Sequence, residues 1–208
     1  MERTTIFLPL LISAVGLCMG VRNKSHRWNQ TREVHFLRSA LQVVKSSDLL
    51  ALDMYSKNIA EKIPHCIASH FLEEKFPVVR RTLRIYDKKQ QETLKNLETN
   101  ITITVRNITR PYLQINSSDG ALPEFWDEPQ YISYAKVNNC IILTHPRLNG
   151  HSSKPPCTLW VLEQGDINHC EKIFSKGCQE GMPVEESECE EIHEEETTIN
   201  SKLSGKSC

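Results

Sequence analysis

Apolar and polar residues alternate in a series of short segments that covers most of the chain. The clearest segment is residues 100–105, Asn-Ile-Thr-Ile-Thr-Val, in which every second residue is apolar. Alternation with a period of two is typical of a β-strand with one buried face. Similar or compact apolar runs occupy residues 49–55, 63–71, 78–86, 112–115, 131–137, 140–144 and 158–162. Eight such runs, separated by turn-forming residues and by no helical segment, predict an antiparallel sandwich or barrel.

The same alternation predicts which side chains of residues 100–105 face the interior. Asn100 begins an N-glycosylation sequon, and a glycosylated side chain must face outward. Ile101, Ile103 and Val105 then face inward, so the strand has an apolar inner face and a polar outer face. Asn107 has the opposite parity from Asn100, and we therefore expect it in the turn that follows the strand.

Two aromatic residues on other strands are further candidates for the interior. Alternation places Trp160 on the same face as Leu162, where it either contacts a ligand or packs as part of the core. It places Tyr134 on the same face as Ile132, and a tyrosine hydroxyl inside an apolar pocket can orient a ligand. The candidate ligand-binding residues are Ile101, Ile103, Val105, Ile132, Tyr134 and Trp160.

Apolar residues recur with helical period before and after this series of strands. Residues 32–45 carry one apolar face, which predicts an amphipathic helix. Near the C-terminus Asp166 is a suitable N-cap, and Cys170, Phe174 and Cys178 follow at intervals of four on one helical face. The sequence therefore predicts one short helix before the strands and another after them.

The start of the chain has the layout of a secretory signal peptide. A short segment with one arginine precedes an apolar run, and the small residues Cys18 and Gly20 occupy positions −3 and −1 of a cleavage site. The apolar run is shorter than the roughly 20 residues that a membrane-spanning helix needs. We therefore interpret residues 1–20 as a signal peptide, 21–189 as one folded domain and 190–208 as an acidic, disordered tail. The protein is expected to be secreted and extracellular, with no membrane anchor.

Sequons and cysteines indicate the same compartment. Asn-x-Ser/Thr sequons occur at Asn23, Asn29, Asn100, Asn107 and Asn116, and each is a candidate glycosylation site at the surface of a secreted protein. The chain has eight cysteines, and Cys18 lies in the signal peptide, which leaves seven. In an oxidising compartment this number implies three disulfides and one spare thiol, and spacing alone leaves fifteen pairings open for six cysteines.

The sequence contains none of the patterns that mark a common catalytic or metal centre. Gly-x-Ser-x-Gly, His-Glu-x-x-His and phosphate-loop motifs are absent, and the histidines are scattered. No second Cys or His motif completes a zinc site beside His169 and Cys170. We therefore expect no enzyme activity, no metal, no cofactor and no nucleic-acid partner.

Three local patterns are specific when taken together. The segment Tyr131–Tyr134 is followed by Cys140-Ile141-Ile142-Leu143, and Cys157–Val161 reads Cys-Thr-Leu-Trp-Val. Cys170, Phe174 and Cys178 then recur every four residues, followed by Glu188-Cys189. In these patterns the chain resembles the tick salivary lipocalins, the histamine-binding protein family. The resemblance extends from about Phe36 to Cys189.

The resemblance implies an eight-stranded antiparallel lipocalin-like barrel, with a short N-terminal helix and a C-terminal helix packed outside it. A barrel of eight strands can hold one small ligand. The resemblance also implies the disulfides Cys66–Cys189 and Cys140–Cys170, and Cys157–Cys178 for the remaining pair. Cys208 is then free, or joins two copies of an otherwise monomeric protein by a disulfide.

Three functions follow from the resemblance. In the first, the barrel sequesters a small host mediator, with an apolar lipid or eicosanoid favoured, and so suppresses host inflammation or haemostasis. In the second it binds a biogenic amine, histamine or serotonin. In the third the cavity is vestigial and the outer surface blocks a host defence protein, such as a complement or clotting factor. Carboxylates in the cavity would favour the second function, and a barrel filled by side chains would favour the third.

One departure from the family bears on the amine. Amine-binding members carry an Asp-Ala-Trp-like motif on the N-terminal helix, where this chain has Ser39-Ala40-Leu41. A protonated amine in a poorly solvated cavity needs a carboxylate, because an unpaired buried charge is costly. The sequence therefore favours an apolar ligand over histamine.

Reduction should destabilise the protein chiefly through the Cys66–Cys189 disulfide. This bridge would close the longest of the three loops, for which the chain-entropy model gives roughly 4–5 kcal/mol. Peptide mapping under non-reducing conditions should recover Cys66 linked to Cys189. A peptide that links Cys66 to any other cysteine contradicts the assignment.

Overall fold

The chain forms two α-helices, one 3₁₀ helix and ten strands within the residues that the structure describes. This computed structural model describes residues 24–64, 66–75, 77–86, 97–107, 110–118, 122, 126, 128–145 and 153–184. The helices are α1 (Lys24–Lys45), the 3₁₀ helix (Lys57–Lys62) and α2 (Ile167–Gly177). The strands are β1 (Leu50–Ser56), β2 (Cys66–Ser69), β3 (Phe71–Lys75), β4 (Val78–Tyr86), β5 (Leu97–Asn107), β6 (Pro111–Ser117), β7 (Gln130–Lys136), β8 (Cys140–Thr144), β9 (Cys157–Leu162) and β10 (Gly181–Pro183).

Eight of the strands close into an antiparallel barrel. Their order around the barrel is β1-β2-β4-β5-β6-β7-β8-β9, and β9 pairs with β1 to complete the ring. Strand β3 pairs with β4 beyond β2, and β10 pairs with the last residues of β1. The predicted eight-stranded barrel, with a helix before it and a helix after it, is confirmed.

The apolar run at 63–71 is the one that does not correspond to a single barrel strand. The structure divides it into β2 and β3, with the break at His70. There the His70 N–H donates to the Thr82 hydroxyl at 3.0 Å, and the Thr82 N–H donates to the His70 carbonyl at 2.8 Å. The Thr82 hydroxyl therefore takes the place of a main-chain acceptor in the ladder. The alternation of apolar and polar residues does not reveal this interruption.

The two faces of the barrel wall form separate apolar clusters. Leu83, Ile103 and Trp160 belong to the cluster inside the barrel. On the outside, Leu159 packs with the fully buried Phe174 of α2. Strand alternation in β9, with Trp160 inward and Leu159 outward, is as predicted. The predicted C-terminal helix therefore covers the outer faces of β8 and β9.

Helix α1 is longer than predicted and does more than pack on the outside. It begins at Lys24 instead of residue 32, because its first two turns have no apolar face that the periodicity could detect. Near its C-terminus Ala40, Val43 and Val44 are at most 1% exposed and belong to the cluster inside the barrel. The last turns of α1 therefore close the end of the barrel at which β1 begins.

The end of α1 is held in place by Arg81, whose side chain is completely buried. Its guanidinium donates to the carbonyl oxygens of Val44, Ser46, Asp48 and Ser69, and to the Ser69 hydroxyl, at 2.7–3.1 Å. All five donors of the side chain are thereby used. Burial lowers the pKa of Arg81 to about 10, against the opposing effect of the Asp48 charge. The group therefore remains a cation at neutral pH.

Two disulfides attach α2 to the barrel. Cys140 in β8 is bonded to Cys170 in α2, and Cys157 in β9 is bonded to Cys178 directly after α2. Both pairings agree with those that the family resemblance implies. Cys66 is also disulfide-bonded. Cys189 lies outside the described residues, so the Cys66–Cys189 pairing stays a prediction.

Some predictions concern residues that the structure does not describe. They are the signal peptide at 1–20, Asn23, and the tail at 190–208 with its Cys208. Asn29 lies in α1. The prediction that Asn107 lies in a turn is wrong, because β5 extends past Val105 and pairs with β6 as far as Pro111. No described helix is long and apolar enough to cross a membrane.

Replacing Arg81 should destabilise the fold far more than replacing its neighbour Arg80. The variant Arg81→Met leaves four carbonyl oxygens and the Ser69 hydroxyl without their donor, and each buried polar group left unsatisfied costs about 1–3 kcal/mol. Arg80 lies on the outer face and pairs with Glu73, and an exposed ion pair contributes little to stability because solvent screens it. Urea denaturation of Arg81→Met and the matched control Arg80→Met should show this difference. Equal losses would contradict the role of Arg81.

Candidate functional site

A narrow apolar cavity lies inside the barrel. It is lined by Val44, Leu50, Ser69, Leu83, Ile101, Ile103, Leu113, Ile115, Trp126, Ile141, Leu143 and Trp160. Its free volume is about 30 Å³, which is room for about two water molecules. Among the described lining residues, Ser69 alone has a side-chain hydroxyl. The interior is therefore apolar and largely filled by its own side chains.

Most of the predicted ligand-binding residues lie in or beside this cavity. Ile101, Ile103 and Trp160 line it directly. Val105 is half-buried at the margin of the inner cluster, and Ile132 is a buried member of that cluster. The inward parity predicted for these residues is confirmed. Their contact with a ligand stays a prediction.

The prediction that Tyr134 points into the cavity is wrong. The pairing of β7 with β8 shifts register between Ile132 and Tyr134, and such a β-bulge reverses the alternation beyond it. Ile132 and Ala135 therefore face inward, while Tyr134 lies outside. Its ring contacts Phe36 of α1 at 5.4 Å between centroids, and its hydroxyl lies 3.0 Å from Nε2 of His169. Partial burial raises the pKa of Tyr134.

The indole N–H of Trp160 is not directed toward the cavity. It donates to the Thr158 hydroxyl at 3.2 Å, and this hydroxyl lies 3.4 Å from Nε2 of His145. Burial, together with the charge of Lys62, lowers the pKa of His145 to about 3. His145 is therefore neutral near pH 7. The ring of Trp160 contributes to the apolar wall, and its N–H belongs to a buried polar network with Thr158 and His145.

Arg81 is the functional candidate that the sequence interpretation missed. Strand alternation does place it inward, because Val79 and Leu83 on either side of it are buried in the interior. Its Nε donates to the Ser69 hydroxyl at 3.0 Å, and its remaining donors go to main-chain carbonyls. The cation thus lies at the edge of the cavity with no donor left for a ligand.

A second hollow lies outside the barrel, between α1 and the outer face of β7. Its volume is about 320 Å³, which is within the usual range for small-molecule sites. It is lined by Glu33, Phe36, Arg110, Pro111, Tyr131, Ile132, Ser133, Thr144 and Pro155. We call it the seam cleft, because Pro111 and Ile132 come from the neighbouring strands β6 and β7. Apolar and polar side chains both face it.

Two sequons lie side by side on the outer faces of β5 and β6. Asn100 in β5 and Asn116 in β6 are both exposed, and Asn116 is paired with Thr102, which shares the outer face of β5 with Asn100. The predicted outward orientation of Asn100 is confirmed. Glycosylation at these positions stays a prediction. Among the described residues, no group of three or more His, Cys, Asp and Glu side chains could hold a metal ion.

No protein-family model matches this sequence. A search among curated proteins finds no match either. Similar proteins are found among solved structures.

Japanin from Rhipicephalus appendiculatus, in a structure bound to cholesterol, is similar to this chain with a TM-score of 0.52 and 19% sequence identity. The match covers 68% of this chain and 93% of Japanin. Lobster apocrustacyanin A1 has a TM-score of 0.47 and 12% identity, and apocrustacyanin C2 has a TM-score of 0.47 and 10% identity. Each of these two matches covers 78% of this chain and 84% of the other. The similarity to Japanin, a tick lipocalin, shows that this chain has the lipocalin fold.

Proposed function

We propose that the protein is a secreted lipocalin that binds one small, uncharged, apolar molecule inside its barrel. The composition of the cavity wall carries this proposal, because every lining side chain except Ser69 is aliphatic or aromatic. Burying apolar ligand surface against such a wall contributes about 25 cal/mol per Å². Japanin, which shares the fold, is described as bound to cholesterol, and cholesterol is a molecule of this chemical class.

The same wall disfavours charged ligands. Arg81 has used all its donors, and the Trp160 N–H is bonded to Thr158. None of the described lining residues carries a carboxylate. Neither an acid nor an amine would find a partner there, and an unpaired buried charge is costly. We therefore rank a neutral lipid above an eicosanoid or fatty acid, and all of these above histamine or serotonin.

The resemblance to tick salivary lipocalins extends the proposal to a physiological role. The ligand would be a small mediator of the host, and its sequestration would suppress inflammation or haemostasis. The disulfides that join α2 to the barrel support an extracellular location, because such bonds persist in oxidising compartments. The protein acts in this proposal as a carrier and not as an enzyme.

The barrel must expand to accept such a ligand. An acyl chain or a sterol is far larger than the free volume of about 30 Å³. Trp126 and Trp160 occupy the interior with their ring centroids 5.5 Å apart, and they are the largest side chains that would have to move. If the expanded state is a minor population, the apparent affinity falls in proportion to that population.

The small free volume favours a second candidate function, in which the outer surface blocks a host defence protein. Glycans on Asn100 and Asn116 would cover the outer faces of β5 and β6. The described β7 and α2 carry none of the five sequons, and their outer surfaces would stay available to a protein partner. In this alternative the barrel is a scaffold and carries no ligand.

Uncharged apolar ligands should bind more tightly than charged ligands that have a similar apolar body. Methyl palmitate and cholesterol should bind the delipidated, glycosylated protein with micromolar or lower Kd, and palmitic acid and hexadecylamine at least about tenfold more weakly, because the cavity offers no partner for a charge. Histamine should show no measurable binding. Titrations at pH 7.4, followed by tryptophan fluorescence and calorimetry, would measure each Kd.

Three outcomes of this series would contradict the proposal in different ways. If palmitic acid binds as tightly as its methyl ester, the cavity does pair a charge and the ranking of ligands is wrong. If no compound binds, the barrel is not a ligand site and the surface-blocking function is favoured. Micromolar histamine binding without lipid binding would restore the amine hypothesis.

Replacing Trp160 by phenylalanine should separate its two roles. Trp160→Phe keeps an aromatic wall and removes the N–H that bonds to Thr158, so the free energy of unfolding should fall by about 1–2 kcal/mol. Affinity for methyl palmitate should change by less than about threefold, because the N–H does not face the ligand. A tenfold loss of affinity with unchanged stability would show that the indole N–H contacts the ligand.

A further inference from the structure

Among the described residues, two junctions of the barrel wall have a ladder of two residue pairs, β1–β2 and β6–β7. Arg81 holds the first, since it bonds to Asp48 before β1 and to Ser69 in β2. The pairs between β6 and β7 are Tyr112–Tyr131 and Leu113–Gln130. By contrast, β5 and β6 pair continuously from Ile101–Ser117 to Asn107–Pro111. From β4 to β9, every other pair of neighbouring strands is joined by at least five residue pairs. The ladder between β6 and β7 is therefore the shortest in this part of the barrel.

Two local features stop this ladder at the seam cleft. The register of the two strands would next place Pro111 opposite Ile132, but proline has no N–H to donate to a ladder. On the other strand, the bulge between Ile132 and Tyr134 bends β7 away from a regular register. Beyond Tyr112 and Tyr131 the two strands are therefore free to diverge.

Two apolar side chains separate the seam cleft from the interior. Phe36 and Ile132 line the cleft, and both also pack with the cluster inside the barrel. Phe36 is only half-buried and comes from α1, while Ile132 is 6% exposed. Moving these two side chains apart would join the cleft to the barrel interior without breaking a hydrogen bond of the barrel.

Buried groups lie at both ends of the barrel in the part of the chain that the structure describes. One end is covered by Val44 of α1 and fixed by the five hydrogen bonds of Arg81. Toward the other end Ile59 of the 3₁₀ helix and Trp126 are 0% and 1% exposed. Opening the α1 end therefore requires the loss of hydrogen bonds to Arg81.

We propose that the seam cleft is the outer part of the ligand site. The apolar body of the ligand passes between β6 and β7, past Phe36 and Ile132, into the barrel. A single uncharged polar end, such as a hydroxyl group, stays in the cleft near Glu33, Arg110 and Ser133, because the cavity offers it no partner. The inference rests on the proposed function, and it narrows the ligand to an uncharged lipid with one polar end.

Rates of binding test the route. Stopped-flow tryptophan fluorescence can follow 1-dodecanol, since Trp126 and Trp160 line the cavity. Phe36→Ala should raise the association rate about fivefold and the dissociation rate by more than that, because the variant removes both a barrier on the route and an apolar contact with the bound ligand. Phe36→Leu should give a smaller change. The matched control Ile59→Val, which loosens the other end of the barrel, should leave both rates unchanged.

Affinity for matched ligands tests the polar end. The double variant Glu33→Ala/Arg110→Ala keeps the net charge. It should weaken the binding of 1-dodecanol about fivefold, as expected for one lost hydrogen bond, and leave the binding of dodecane unaffected.

Unchanged rates in Phe36→Ala, or faster rates in Ile59→Val alone, would overturn the route. Equal effects of the double variant on dodecanol and dodecane would overturn the polar site. If wild-type protein binds neither compound, the proposed function fails and this inference fails with it.

Discussion

The buried guanidinium of Arg81 is the constraint to which the rest of the structure is adapted. A cation inside an apolar barrel is tolerated only if every donor has an acceptor, and here the acceptors come from the end of α1, the turn after it and the end of β2. The carbonyl of Val44 lies in the last turn of α1, where a helix leaves such groups without partners of its own. The positive charge also suits the negative end of the helix dipole. Arg81 therefore caps α1 and fixes the start of β1 in one arrangement.

This constraint decides where the barrel can open. Motion of the end of α1 would leave a buried cation unsatisfied, while α2 is tied to β8 and β9 by two disulfides. In the described residues, the proposed opening between β6 and β7 has neither kind of restraint, and beyond the two residue pairs of that ladder the side chains of Phe36 and Ile132 separate the cleft from the interior. An entering ligand replaces those apolar contacts with its own, so the opening is compensated as it occurs. The loss of a hydrogen bond to Arg81 could not be compensated by a lipid in this way.

The strands were largely predictable because alternation depends only on one face being buried, as in β4, β5 and β9. The position of Tyr134 was not predictable, because the bulge beside it reverses parity without changing the composition of the segment. Arg81 has the parity of an interior residue, but a charged side chain is normally assigned to the surface, and its acceptors are main-chain atoms that no sequence pattern specifies. The first turns of α1 were missed for a related reason, since helical periodicity detects an apolar face and not helical backbone itself. The seam depends on Pro111 and the bulge acting together across two strands.

The division of the site into a closed interior and an open cleft has a consequence for specificity. In the interior, Ile103, Leu113 and Trp160 can contribute only apolar contact, so affinity there rises with the buried area of the ligand and depends little on its detailed structure. Because the side chains must rearrange to make room, new contacts with the ligand largely replace contacts that the protein already makes. The net driving force is then the removal of the ligand from water, which any apolar molecule of suitable length provides. Discrimination between such molecules has to come from a place where polar groups remain available, and in the described structure the seam cleft, with Glu33 and Arg110 beside the route inward, offers such groups.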